Sequence, residues 1–129
     1  MNDKRSHHAC MFDETTSSIH VMGGLGGYGH DLTMDLATTE MWIVGSDTWL
    51  LSANLPESIG KTSAVSSKSK NYVGYIAGGW GFATEESFSN KIWGLRRHDM
   101  TWIAMNKTLK IGRQSHSLLN IPPEQVLGC

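Results

Sequence analysis

A chain that repeats itself has few folds open to it, and this one repeats. Ile19-His-Val-Met-Gly-Gly24 returns as Gly74-Tyr-Ile-Ala-Gly-Gly79, Thr39-Glu-Met-Trp42 as Asn90-Lys-Ile-Trp93, and Thr48-Trp49 as Thr101-Trp102. The period is about 53 residues, and four of the five tryptophans fall on matched positions. Each unit is then one supersecondary element whose apolar face is covered by its neighbour. Short runs rich in Val, Ile, Thr, Trp and Tyr, bounded by Gly, Asn, Asp and Ser, recur through both units and read as β-strand. Four strands per unit are predicted, near 8–12, 19–23, 40–44 and 48–52 in the first and 62–66, 72–77, 91–95 and 101–105 in the second.

A third anchor precedes each first strand. Arg5-Ser-His-His-Ala9 and Arg113-Gln-Ser-His-Ser117 share an arginine, a histidine three places on and a small residue after it. For the middle unit, matching Ile59-Gly60-Lys61 to Ile111-Gly112-Arg113 sets Lys61 opposite the two arginines and keeps the cation. Holding the distance to Gly-Gly constant sets Gly60 there instead; the first alignment is preferred. The units are bounded at 1–53 and 54–107, with the start of a third at 108–129. That third unit meets Pro122-Pro123, which interrupts a strand, before any further Gly-Gly.

Gly23-Gly24 with Trp42 and Trp49, and Gly78-Gly79 with Trp93 and Trp102, resemble the kelch repeat, and the resemblance covers nearly the whole chain. It implies an all-β fold: a partial kelch-type β-propeller of two four-stranded antiparallel blades plus one extra strand, with Trp49 and Trp102 packed between blades. Gly24, Gly26 and Gly29 also satisfy the spacing of a dinucleotide-binding turn. The second copy, however, has Thr84 at the third position, and the chain returns to a strand where a phosphate would need a helix N-terminus. Ile59-Gly-Lys-Thr62 has the end of a phosphate-binding loop, but Leu55 stands where its first glycine is required. No cofactor is expected.

Composition narrows the function classes. With 129 residues, 40% apolar and 18% charged, the chain is the size of one globular unit. A net charge of −1 supplies no long-range field for nucleic acid or anionic lipid, so neither is an expected partner. No apolar segment approaches the roughly 18 residues of a membrane span. The first eight residues lack the apolar stretch of a signal peptide, so a cytoplasmic location is expected. Cys10 and Cys129 read as free thiols. The histidines, including the adjacent His7 and His8, lack the spacing that preorganises a metal site, and no metal is expected. There is no Gly-x-Ser-x-Gly turn, so no catalytic residue is nominated.

Binding remains. In an up-and-down meander the loops after strands two and four share a face, and those loops are the long ones here, 25–39, 80–89 and 52–60. Recognition concentrates on such loops when the scaffold is rigid. Tyr28, His30 and Asp31 in the first, and Trp80, Phe82 and Glu85 in the second, join aromatic anchors to polar groups that suit a peptide. The resemblance adds the basic residues Arg5, Lys61 and Arg113. A plainer assignment stands beside it, in which the aromatics cap the blades and the cations pair with backbone.

The expected function is a noncatalytic protein–protein interaction module with a protein or peptide partner. By resemblance it would serve a ubiquitin-ligase substrate adaptor or an actin-associated protein. The alternatives are a fragment of a kelch-propeller enzyme, galactose-oxidase-like or lyase-assisting, and a self-assembling structural propeller. Two units and a start fall short of the roughly four to eight blades of a closed ring. A piece of a longer propeller, a homo-oligomer that closes the ring, or a short form with a noncompact or partner-dependent state is therefore expected.

Overall fold

The computed structural model describes residues 1–26, 34–81 and 88–121, and within them every regular element is a strand. The first unit contains β1 (Arg5–Ser6), β2 (Ala9–Asp13), β3 (Ser18–Met22), β4 (Leu25–Gly26), β5 (Met34–Asp35), β6 (Thr39–Ile43) and β7 (Trp49–Ser52). The second contains β8 (Ser63–Ser66), β9 (Tyr72–Ala77), β10 (Ile92–Arg96) and β11 (Trp102–Ala104). β2-β3-β6-β7 form one four-stranded antiparallel sheet and β8-β9-β10-β11 another, each an up-and-down meander. The fold is all-β, two blades that do not close into a ring, and the blade strands begin and end within one residue of their predicted bounds. Beyond the first Gly-Gly, β1, β4 and β5 add a small antiparallel sheet. Its counterpart in the second unit, among the described residues, is the bridge between Gly60 and Trp80.

Side-chain alternation turns each sheet into a two-faced layer. In β2, Ala9, Met11 and Asp13 are buried while Cys10 and Phe12 are exposed. The buried face of β2 meets the second blade: Gly74 has no side chain because a Cβ there would lie 2.5 Å from Met11 Sδ and 2.4 Å from Val65 O. One apolar core spans both units, with Ala9, Met11, Met22, Leu55, Ile59, Val73, Ile76, Leu95 and Trp102 buried in it. Trp102 packs between the blades, and its Nε1 donates to Ala53 O at 3.1 Å. Trp49, expected to do the same, instead stays half-buried, stacked on Trp42 with ring centroids 6.3 Å apart. The difference is one of partners: Trp102 faces Ala53 of the first unit, whereas Trp49 packs on Trp42 of its own sheet.

Hydrogen bonds repeat from unit to unit and fix the alignment that sequence left open. Gly24 N–H donates to Ile59 O (2.9 Å) as Gly79 N–H does to Arg113 O (2.7 Å). Lys61 N–H donates to His7 O as Ser115 N–H does to Lys61 O, both at 2.9 Å. His7, Lys61 and Ser115 all carry a left-handed φ of 52°. The equivalent residues are therefore His7, Lys61 and Ser115 on one hand, and Arg5, Ile59 and Arg113 on the other. Neither Lys61 nor Gly60 stands opposite Arg5, which corrects the expected alignment.

The tryptophan match needs a correction too. Gly23 N–H bonds Thr38 O (3.1 Å) as Gly78 N–H bonds Lys91 O (3.0 Å), and Trp42 faces Trp49 as Leu95 faces Trp102. Leu95 thus holds the place of Trp42, and Trp93 that of Glu40. The pairing frame is the same in both blades, whereas the tryptophans are seven residues apart in one and nine in the other. A slip of two residues keeps a side chain on the same face of its strand, so the aromatic pattern stays in phase while the register does not.

Residues 111–121 stand where a third first strand would. Arg113 N–H bonds Ser89 O as Ile59 N–H bonds Leu36 O, both at 3.2 Å. Leu118 N–H reaches Ser63 Oγ (3.0 Å) and Asn120 Nδ2 reaches Ser66 O (3.4 Å). This extra segment joins the second blade by single bonds, without a continuous ladder.

Candidate functional site

The two Gly-Gly pairs form the base of the long-loop face. Gly23 and Gly24 adopt φ of 61° and 97°, and Gly78 and Gly79 of 64° and 110°, a region that residues with a Cβ rarely enter. Space forbids a side chain as well, since a Cβ on Gly23 would lie 2.3 Å from Ile59 O and one on Gly78 2.5 Å from Arg113 O. Each pair lets the backbone of the following unit close in and then bonds to it. Across this base the His7–Lys61 and Lys61–Ser115 main-chain bonds step from unit to unit, which holds Lys61 on a fixed backbone.

Of the nine binding residues expected from sequence, four lie within the described residues, and the structure brings two of these together. Lys61 Nζ lies 5.6 Å from the centroid of the Trp80 ring. A cation at that distance from an indole face is attracted by about 0.5–1 kcal/mol at an exposed site. Gly60 and Trp80 exchange both main-chain bonds, at 2.8 and 2.9 Å, and so keep the indole beside the ammonium. Arg113 is exposed, with its Nε donating to Ile111 O at 3.4 Å. Tyr28, His30, Asp31, Phe82 and Glu85 lie outside the described residues.

Arg5 is placed differently from the other cations. Its side chain is fully buried: Nη1 donates to Gly23 O and Thr38 O, each at 2.9 Å, and Nη2 to Glu40 Oε1 at 2.7 Å. Burial alone would raise the Glu40 carboxyl. The main-chain N–H groups of Asn2 and Asp3, together with Arg5, outweigh that and hold it below the usual carboxylate range. Arg5 is thus spent on the Gly23 and Thr38 carbonyls and on the Glu40 carboxylate, a set of contacts that the plainer assignment describes in part.

A second cation–aromatic cluster escaped the sequence reading. Lys91 Nζ meets Glu57 Oε2 at 2.6 Å and sits 5.8 Å from the Trp93 ring, whose Nε1 donates to Glu57 Oε1 at 3.4 Å. Glu57 lies in the 52–60 loop, so an acid in a long loop was the available signal. Its partners were not legible, because they depend on the register of β10.

The polar residues most suggestive of catalysis are structural. Ser18 Oγ lies 3.1 Å from His20 Nε2 and 2.7 Å from Thr16 Oγ1, which donates to Asp13. Ser18 and His20 have no exposure, so no substrate reaches them, and burial lowers the His20 pKa and keeps the ring neutral. An open groove of about 940 Å³ separates the blades on the opposite face, bordered by β2, β8, 66–70, Arg97 and Leu118–Asn120. Arg97 there is committed to Asp13, with Nη1 at 2.8 and 2.7 Å from its two oxygens. Among the described residues no group of three or more His, Cys, Asp or Glu could hold a metal ion, and no helix is long and apolar enough to cross a membrane. Cys10 is a free, exposed thiol.

Fold and site together define an all-β protein of stacked, repeated antiparallel blades. No family model matches the chain, and no curated protein matches it.

Proposed function

We propose that this protein is a noncatalytic protein-interaction module of the kelch type, binding a peptide segment of its partner on the long-loop face around Lys61 and Trp80. The observation that supports it most is the Lys61–Trp80 pair, an aromatic anchor and a cation held together on fixed backbone where the 52–60 segment ends and the 80–89 segment begins. Such a pair offers a flat apolar surface and a charge to one ligand, the combination that dominates many interfaces. An adaptor for a ubiquitin ligase and an actin-associated protein are the two contexts in which a module of this type would serve, in the cytoplasm.

A displayed peptide library panned on the full chain tests the reading. Selected peptides are expected to lose at least about tenfold in affinity, ~1.4 kcal/mol, on both Trp80→Ala and Lys61→Glu. Thermal melting of the two variants should match the parent, since neither side chain belongs to the core. Selected binding that both variants leave intact would overturn the assignment of this face.

A further inference from the structure

The tail of the chain turns outward the face that its internal counterpart buries. Residues 113–121 repeat 5–13 position for position, with Arg113, Ser115 and His116 in the places of Arg5, His7 and His8. In the first copy Arg5, Ala9, Met11 and Asp13 are all buried. In the tail Arg113, Ser117, Leu119 and Ile121 are all exposed, Leu119 at 82% and Ile121 at 56%. The difference lies in what stands opposite. Residues 9–13 ladder onto β3, and Arg5 enters a pocket made by Gly23 O, Thr38 O and Glu40. Among the described residues the tail bonds across to the second unit alone, at Lys61, Ser63, Ser66, Gly79 and Ser89. Aliphatic residues exposed at strand period along an unladdered segment mark an association surface.

We propose that the tail of one copy docks into the first blade of a second copy by strand exchange, taking the place of residues 5–13. Arg113 then enters the pocket of Gly23 O, Thr38 O and Glu40, whose carboxylate complements its charge. The second blade has no such pocket, because Ile59 and Trp93 hold the places of Arg5 and Glu40. Leu119 takes the buried position of Met11, an exchange of similar volume that cores tolerate, and Ser117 that of Ala9. Ile121 takes the position of Asp13 and cannot hold the Arg97 fork. A chain's own β2 therefore prevails at low concentration, and exchange follows mass action as copies are crowded. The docked tail remains beside its own second blade, so the acceptor's first blade is set down as a third blade, head to tail. This inference is independent of the binding face proposed above.

Sedimentation of the full chain over about a hundredfold range of concentration tests it. The parent is expected to pass reversibly from monomer to larger species. Arg113→Glu, which brings like charge to Glu40, and Leu119→Asp should each weaken association by at least about tenfold. Lys110→Glu, an exposed cation of the same segment outside the repeated stretch, should not. Dilute variants should melt like the parent, because neither altered side chain is packed in the monomer. In the associated state, amides of 9–13 should lose protection from hydrogen exchange and those of 117–121 should gain it. A parent that stays monomeric throughout overturns the proposal. So does association that Arg113→Glu and Leu119→Asp leave intact, or association with unchanged protection in both segments.

Discussion

Arg5 with Glu40 in the first blade, and Ile59 with Trp93 in the second, occupy the same two positions of the repeat, one pair ionic and the other apolar. A buried ion pair tolerates joint replacement by apolar groups far better than loss of one partner, because the remaining charge then lies buried without a counter-ion. Arg5→Ile alone is therefore expected to destabilise the fold by about 3–5 kcal/mol. Arg5→Ile combined with Glu40→Trp, the solution already present in the second blade, should recover most of that loss. Urea denaturation of the parent, the two single variants and the double variant closes the cycle. A double variant no more stable than Arg5→Ile would mean that the Gly23 carbonyl, which the arginine satisfies, matters more than the charge it balances. None of this is legible in the sequence, where the cation of the middle unit reads as Lys61.

At the level of the strand, sequence and structure agree on extent and part company on register. Extent is written locally, in alternating side chains and turn residues, so β2, β3, β6 and their counterparts could be read off. Register depends on which residues meet across a sheet, and Trp93 matched Trp42 in type and face while lying two residues out of frame. Contacts between elements were further out of reach. The clearest is the fork from Arg97, in the hairpin after β10, to Asp13 at the end of β2, which fastens one blade to the other and also reaches Tyr72 O. Burial by itself would raise the Asp13 carboxyl. Arg97, the Thr15 N–H and Thr16 outweigh it, and the folded-state pKa is lowered. A lowered carboxyl contributes stability that is present above the unfolded value and lost as pH falls through the folded one. Asp13→Asn should therefore cost about 2–3 kcal/mol at neutral pH, as expected for a charge-assisted bond. The gap to the parent should narrow once the pH drops below about 4, the ordinary carboxylate value. Unfolding midpoints followed across that range give the result, and a gap independent of pH would show that the carboxylate's charge contributes nothing.

For the whole molecule, what matters is that two blades share a single core, so equivalent residues need not do equivalent work. The repeat was legible because Gly-Gly and tryptophan are specific residues at a fixed period. Which copy of a residue is buried was not, because burial depends on neighbours rather than on the unit. Trp49 and Trp102 show the consequence. Trp102 is 8% exposed, sits in the core between the blades and donates to Ala53 O across the interface. Trp49 lies half-buried on the first blade, its ring against Trp42. Trp102→Ala removes a large buried ring and is expected to cost about 3–5 kcal/mol. Trp49→Ala forfeits chiefly one aromatic contact, worth about 0.5–1.5 kcal/mol. Thermal and urea unfolding of the two variants decide between a molecule held by its inter-blade core and one held blade by blade. If each blade were self-sufficient the losses would be equal, and Trp102 would be no more important than its counterpart. A much larger loss at Trp102, with a single transition retained in the parent, means that neither blade stands without the other, and that the repeat is stable only as a stack.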